Sequence, residues 1–486
     1  MTARIVFGEE AVAAAELERR AACAAAGLER AGVRADDVVA IMLRNEPAYL
    51  EAMLGARRLG AYHCPINWHY KTDEAGFILS DCGAKVLVVD AGLLAQIDGG
   101  IPAGVQVVSS EAWPSWRDAQ PPWRGEPPAP RSSMPYTSGT TGRPKGVRRR
   151  PATEEQRRLA LELYRTVLGL EPGMRAFVSA PLYHSAPNLY ALQCAQLAEL
   201  LVLEPRFDAE RTLALVERHR LTNLYLVPTM FVRLLRLPPE VKRRYDLSSI
   251  RFVSSTGSPC AADVKRSMID WWGPVINESY AASELGHVTF IDSRDWLAHP
   301  GSVGRVLGGG QLRILDESGR ELPPGEVGAI HCRQPAYPDF TYVNNAAARA
   351  ALERDGLWSV GDLGYLDEAG YLYVADRKSD MVISGGVNIY PAEIEAALLG
   401  LPGIADCAVF GVPDAEFGES LCAAIELLPD ASVSADEVRS FLRARIADYK
   451  VPKLVTFHDR LPREESGKIF KRKLRDPYWQ GLGRRI

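Results

Sequence analysis

Nothing in this 486-residue chain is apolar for long enough to cross a bilayer. The longest apolar stretches, such as Val38 to Leu43 and Lys85 to Val89, fall far short of the roughly 18 residues a membrane span needs, so no integral membrane segment is expected. Met1 to Glu10 lacks the basic start and apolar core of a secretory signal. The eight cysteines, scattered from Cys23 to Cys422, form no C-x-x-C pair. That argues against a zinc knuckle and a disulfide framework, and a reducing cytoplasm is the expected location. Positive charge is not in excess either: 57 Lys and Arg against 61 Asp and Glu leave a net charge of −4. A nucleic-acid partner bound by broad phosphate neutralisation is therefore not expected, and any polyanion site must be local. No G-x-S-x-G elbow and no G-x-G-x-x-G loop occurs, so serine hydrolases and Rossmann dehydrogenases lack their fingerprints. The histidines, including His63 and His69, have no helical metal-ligand spacing.

What is present is the balance of a globular protein, 47% hydrophobic and 24% charged, in a chain long enough for two or more folded units. Ala11 to Ala31 is rich in strong helix formers, Val38 to Leu43 reads as a buried strand, and Glu46 to Leu59 as a second helix. Apolar runs at Lys85–Asp90, Arg175–Ala180, Asn223–Val227 and Ile250–Ser255 continue the alternation. The fold class is α/β, a large multi-subdomain N-terminal domain with mostly parallel sheets. Trp113 to Arg131 repeats proline and reads as an irregular connection.

A second texture begins near Asp380. Pro391, Glu393 and Glu395 open a helix, and Ser434-Ala435-Asp436-Glu437 is a capping box before Val438, Phe441, Leu442 and Ile446 on one helical face. These mark a small α+β C-terminal domain with several short strands. The expected division is residues 1–376, a hinge at 377–380, and 381–486.

Tyr136 to Gly146 packs hydroxyls, three glycines and Lys145 into eleven residues, a loop suited to aim N–H groups, hydroxyls and an ammonium at phosphate oxygens. It lacks the Gly-Lys-Ser/Thr ending of a Walker A loop. The loop resembles the signature of the adenylate-forming superfamily of acyl-CoA synthetases, adenylation domains and luciferases. Further segments resemble that family in order: Pro181 to Ser185, Gly257-Ser258-Pro259, Tyr280 to Glu284, Gly361-Asp362, Asp376 to Asp380, and Pro462 to Lys468.

The resemblance implies a site. Thr137, Ser138, Gly139, Thr140, Thr141, Gly142 and Lys145 would hold phosphates, and Gly257, Ser258, Pro259, Tyr280 and Ser283 the adenine. Asp362 and Arg377 would hold the ribose. Tyr280 offers a flat face for stacking, and Glu284 a hard carboxylate oxygen for Mg²⁺. Lys468 matches the family's catalytic lysine: a cation between an attacking carboxylate and an α-phosphate stabilises the transition state over the separated ground state. His184 belongs to the segment beside the acyl pocket, for which Tyr183, Pro228, Thr229, Ser255, Thr256 and Ala281 are candidates. Ser379 stands at the hinge, and Gly385 and Gly386 resemble the loop set against the CoA pantetheine tunnel, where glycine lets the backbone come close. The chain departs from the family at Ala281, where glycine is usual, at Ser283, where threonine is, and at Ser379, where Asp or Lys is common.

The implied cofactors are ATP, Mg²⁺ and coenzyme A, and the implied reaction is ligation of an uncharged aliphatic or aromatic carboxylic acid to CoA through an acyl-adenylate. An acyl-AMP ligase loading a carrier protein, a light-emitting monooxygenase and a non-catalytic nucleotide-binding regulator share parts of this pattern. Tyr183 to Pro187 has no aspartate to pair with an amino-acid amine, and only eighteen residues follow Lys468, which favours a free-standing ligase. A monomer or homodimer is expected, and the context of Lys468 resembles the segment acetylated by a lysine acetyltransferase in related ligases.

Overall fold

The computed structural model describes residues 4–137, 144–258, 260–378, 380–384, 387–414, 416–463 and 469–480. Val38–Met42 forms a strand whose two faces are both buried. Val39 and Ile41 pack into one core, while Val38, Ala40 and Met42 pack into another, which is why the run is apolar without alternation. It lies in a parallel sheet ordered Tyr62–Pro65, Val38–Met42, Ala84–Val89, Gln106–Ser109. The chain moves to one side of its first strand, then crosses to the other. A second sheet repeats that winding with parallel strands ordered Ile276–Glu278, Phe252–Ser255, Asn223–Tyr225, Arg175–Val178, Leu200–Leu203. Each sheet therefore has a switch point, one between Val38–Met42 and Ala84–Val89, the other between Arg175–Val178 and Asn223–Tyr225.

Three local readings are corrected. The first helix runs Ala14–Arg30 because Glu10–Ala13 is drawn into an antiparallel edge strand against Arg4–Phe7, with Val12 buried beneath it. Trp113–Asp118 is a short helix, not irregular chain: Pro114 occupies its first turn, and the buried Trp113 ring stacks on Trp116 at 5.3 Å. The C-terminal part is built on a long hairpin, Ile404–Asp414 with Gly418–Leu427, rather than on short strands alone.

A third, antiparallel sheet includes Gly328–Arg333, Asp362–Leu366 and Leu372–Arg377. The next strand, Val382–Ser384, pairs instead with Val387–Ile389 and the C-terminal hairpin. That last sheet has a core of its own, in which Val382, Ile389, Ile394, Leu398 and Val409 meet Val438 and Leu442 of the helix Ala435–Arg443. Its capping box is formed: Ser434 Oγ accepts from the Glu437 amide at 3.2 Å, and Glu437 Oε2 accepts from the Ser434 amide at 2.8 Å. Among the described residues no helix is long and apolar enough to cross a membrane, and all eight cysteines are free thiols.

Candidate active site

The two parallel sheets are joined by buried side chains near the ends of their strands. Asn45, just beyond the strand Val38–Met42 and 2% exposed, donates to the carbonyls of Ala180 at 2.9 Å and Glu204 at 3.1 Å, and accepts from the Leu182 amide at 2.9 Å. All three partners follow strands of the second sheet. Tyr49 and Asn188 complete the brace: the Tyr49 hydroxyl and Asn188 Nδ2 each donate to Leu182 O at 2.9 Å, and Nδ2 also donates to Tyr49 at 3.1 Å. Asn188 Oδ1 is left as acceptor for His63 Nε2 at 3.0 Å, which sets the tautomer of that ring. This buried net holds the turn that carries Tyr183 and His184, whose rings lie 4.4 Å apart at the start of the helix Ser185–Leu197.

Residues just past the strand ends of the second sheet enter one cleft of about 2710 Å³. Pro228 and Thr229 follow one strand, Thr256, Gly257 and Ser258 the next, and Tyr280 and Ala281 a third; all line the cleft together with Asp362 and Arg377. Gly257 has φ +96°, a left-handed conformation that suits glycine. Thr256 Oγ1 donates to Ser279 O at 2.7 Å and joins the two segments expected around the adenine. Tyr183 and Ser255 are buried, 6% and 2% exposed, with Tyr183 edge-on to Trp68 at 6.1 Å.

Asp362 and Arg377 are register partners in adjacent strands, and Arg377 Nε lies 3.3 Å from Asp362 Oδ1. Asp362 Oδ2 accepts from the Tyr280 hydroxyl at 2.6 Å. Burial, with the Asp362 carboxylate beside it, holds the Tyr280 phenol well above its ordinary value, so it remains a donor at any working pH.

The stem of the phosphate loop pairs Thr137 with Lys145 and Tyr136 with Gly146, where a Cβ would meet the Tyr136 ring at 2.7 Å. Glu284, 6% exposed, accepts through Oε1 from the Thr137 hydroxyl at 3.0 Å and the Tyr342 hydroxyl at 2.9 Å. Lys145 Nζ is 5.3 Å from the Tyr342 ring. Ser283 meets Ser185, Oγ to Oγ, at 2.7 Å, so the adenine segment and the turn carrying His184 are tied together. Ser138 to Gly142, Pro259, Ser379, Gly385, Gly386 and Lys468 lie outside the described residues.

Tyr342, Asn45, Asn188 and Arg149 stand outside every recognisable motif, and only the folded chain reveals them. Arg149 had one available signal: it falls on the same face as Lys145 in a strand that continues the loop.

Open α/β sheets bind ligands outside the carboxyl ends of their strands at switch points. The fold and cleft are thus those of a nucleotide-binding α/β enzyme. Residues 2–337 match the AMP-binding enzyme family and residues 393–468 its C-terminal domain, and the chain belongs to that family. It is 36% identical over 479 residues to a feruloyl-CoA synthase of Amycolatopsis sp, covering 96% of this chain and 94% of the relative. It is 34% identical to an indoleacetate–CoA ligase of Aromatoleum aromaticum, covering 96% and 93%. The ATP-bound crystal structure of MatB from Rhodopseudomonas palustris superposes with a TM-score of 0.86 at 29% identity, over 98% of this chain and 96% of that one.

Proposed function

We propose that the chain is an ATP-dependent acid–CoA ligase acting on an uncharged aliphatic or aromatic acid. The observation that carries this is that the segment Tyr280 to Glu284 joins two clusters, Tyr280 with Asp362 and Arg377 in the cleft and Glu284 with Thr137 and Tyr342, the latter beside Lys145. In the first half-reaction a carboxylate oxygen attacks the α-phosphorus of ATP, pyrophosphate leaves with the bridging electron pair, and an acyl-adenylate forms. In the second, the CoA thiolate attacks the acyl carbon and AMP leaves. Tyr280 is assigned to the adenine face and Asp362 with Arg377 to the ribose. Lys145 is assigned to the phosphates, and Lys468, from its motif, to the reacting centre. Pro228, Thr229, Thr256 and Ala281 supply small or apolar walls for the acyl body. The relatives named for feruloyl and indoleacetate favour an aromatic one.

Glu284 with the Thr137 and Tyr342 hydroxyls fits Mg²⁺, which is commonly held by one or two carboxylates together with substrate phosphates. Held by Glu284 and the Thr137 and Tyr342 hydroxyls, such an ion would supply positive charge to neutralise the phosphates. The division 1–376, 377–380 and 381–486 is proposed as a hinge between two rigid parts, in keeping with the change of sheet between Arg377 and Val382. The cytoplasm is the proposed compartment.

The test is a panel of aliphatic and aryl acids scored for CoA-dependent AMP release alongside ATP–pyrophosphate exchange. Stoichiometric AMP and acyl-CoA are expected. Exchange without CoA consumption would replace the reading with a carrier-protein ligase, and absence of exchange for every acid would end it.

A further inference from the structure

Arg149 is 8% exposed and makes no ion pair within 4 Å among the described residues, although a buried guanidinium ordinarily sits against a carboxylate. Its hydrogen bonds go to backbone. Nη2 donates to Ser283 O at 3.0 Å and to Glu284 O at 2.7 Å, and Nη1 donates to Pro338 O at 2.8 Å. The guanidinium carbon lies 5.3 Å from the Tyr337 ring and 5.8 Å from the Phe340 ring. Its own carbonyl accepts from the Tyr62 hydroxyl at 2.7 Å, and its backbone pairs with Phe340. The cation is therefore fixed from several sides and bound to the turn that presents the Glu284 carboxylate.

The strand Lys145–Arg149 relates this arrangement to the phosphates. Its alternate residues share a face, which brings Lys145 to the Tyr342 side of Glu284 and Arg149 beneath the turn. One strand thus carries the loop lysine at one end and, at the other, the group that holds the backbone of Glu284. Placing an uncompensated cation in a dry interior is costly, and a nonpolar side chain there would serve packing as well. What the guanidinium adds is donors: three carbonyls of two segments, taken up by one planar fork.

We infer that Arg149 is a positioning residue for the ATP–metal site, setting the separation between the Glu284 carboxylate and the loop stem at Thr137 and Lys145 by clamping the carbonyls of Ser283 and Glu284. The inference rests on the reading of Glu284 as the metal ligand. Groups that orient a ligand from behind typically change metal affinity by about 10- to 100-fold when removed.

The experiment compares wild type, Arg149→Met, Arg149→Lys, Glu284→Gln and the Arg149→Met/Glu284→Gln double variant. Binding of Mn²⁺ in the presence of ATP is read from the free-ion electron paramagnetic resonance signal, and the Mg²⁺ dependence of pyrophosphate exchange is measured in parallel. Arg149→Met should weaken Mn²⁺ binding about tenfold, Arg149→Lys less, and the double variant no more than Glu284→Gln alone. A folded Arg149→Met protein with a lowered melting temperature but unchanged Mn²⁺ affinity would overturn the inference and leave Arg149 a scaffold residue. Should Arg149→Met not fold, Arg149→Lys decides: unchanged metal affinity overturns the inference and a weakened one supports it. If Glu284→Gln binds Mn²⁺ as wild type does while an Arg149 variant does not, the metal reading of Glu284 is wrong. The clamp as stated then falls with it.

Discussion

The Tyr280 hydroxyl lies 2.6 Å from Asp362 Oδ2, so the ring assigned to the adenine and the carboxylate assigned to the ribose are one hydrogen-bonded unit spanning 82 residues of chain. Arg377 closes it from the neighbouring strand, 3.3 Å from the other carboxylate oxygen. The unit orients Asp362 before any nucleotide arrives. A hydrogen bond to a charged group contributes about 1.5 to 3 kcal/mol. Tyr280→Phe should therefore raise the KM for ATP in pyrophosphate exchange by roughly tenfold or more, with a smaller change in kcat, because the stacking face is retained. A wild-type KM for ATP in this variant would separate the two residues functionally.

Asn45 ties the end of the first sheet's Val38–Met42 strand to residues following Arg175–Val178 and Leu200–Leu203 of the second by three hydrogen bonds while 2% exposed. Asn45→Ala strands two carbonyls and an amide, at a cost of about 1 to 3 kcal/mol for each group left without a partner. It also releases the turn carrying Tyr183 and His184. The expected signature is a lower melting temperature together with a KM for the acid that rises more than the KM for ATP. Equal changes in both would mean that the brace is global and does not serve the acyl side.

His63 is fully buried, and burial pushes its ring down to about 3. Unfolded, it titrates near 6.5. Between those values the unfolded chain binds a proton that the folded chain does not, so stability rises with pH and is lost as pH falls from about 6.5 toward 3. The loss is about 1.4 kcal/mol per pH unit for each such ring within the window. His287, pushed down to about 4 by burial, adds the same sign over its own window. His63→Gln keeps a donor for Asn188 but does not titrate. Its melting temperature should fall less steeply than that of wild type on acidification across this window, and parallel curves would refute the assignment.

Lys468, assigned from its motif, is expected to serve only the adenylating step. Loss of one charge-assisted transition-state contact of about 3 to 4 kcal/mol corresponds to a slowing of roughly 10² to 10³. Lys468→Ala should show that loss in pyrophosphate exchange and retain thioester formation from a supplied acyl-adenylate. Enzymatic acetylation, which removes the same charge, should reproduce it. Unchanged exchange in both forms would remove Lys468 from the mechanism.

The strands of the parallel sheets were legible because both of their faces are buried, so Val38 to Leu43 carries no polar interruption. The helix at Ala435 was legible from Ser434 and Glu437, whose side chains cap each other's amides within one turn. The start of the first helix was not, because Glu10–Ala13 has good helix formers and is recruited by a strand that lies outside any local window. The burial of Tyr183 and Ser255 was not legible either, because position along a motif does not say which way a side chain points.

The sequence by itself determined the chemistry on offer: a phosphate loop with Lys145, an aromatic face at Tyr280, carboxylates at Glu284 and Asp362, and a lysine at 468, each carried by a short contiguous pattern. Only the tertiary structure decided how these groups are held. Asp362 faces Arg377 through strand register, Thr137 and Tyr342 meet on Glu284 across 147 and 58 residues, and Arg149 reaches the carbonyls of Ser283 and Glu284 from another sheet. Such contacts depend on sheet order and register, which arise from the packing of whole elements, and no local periodicity encodes them.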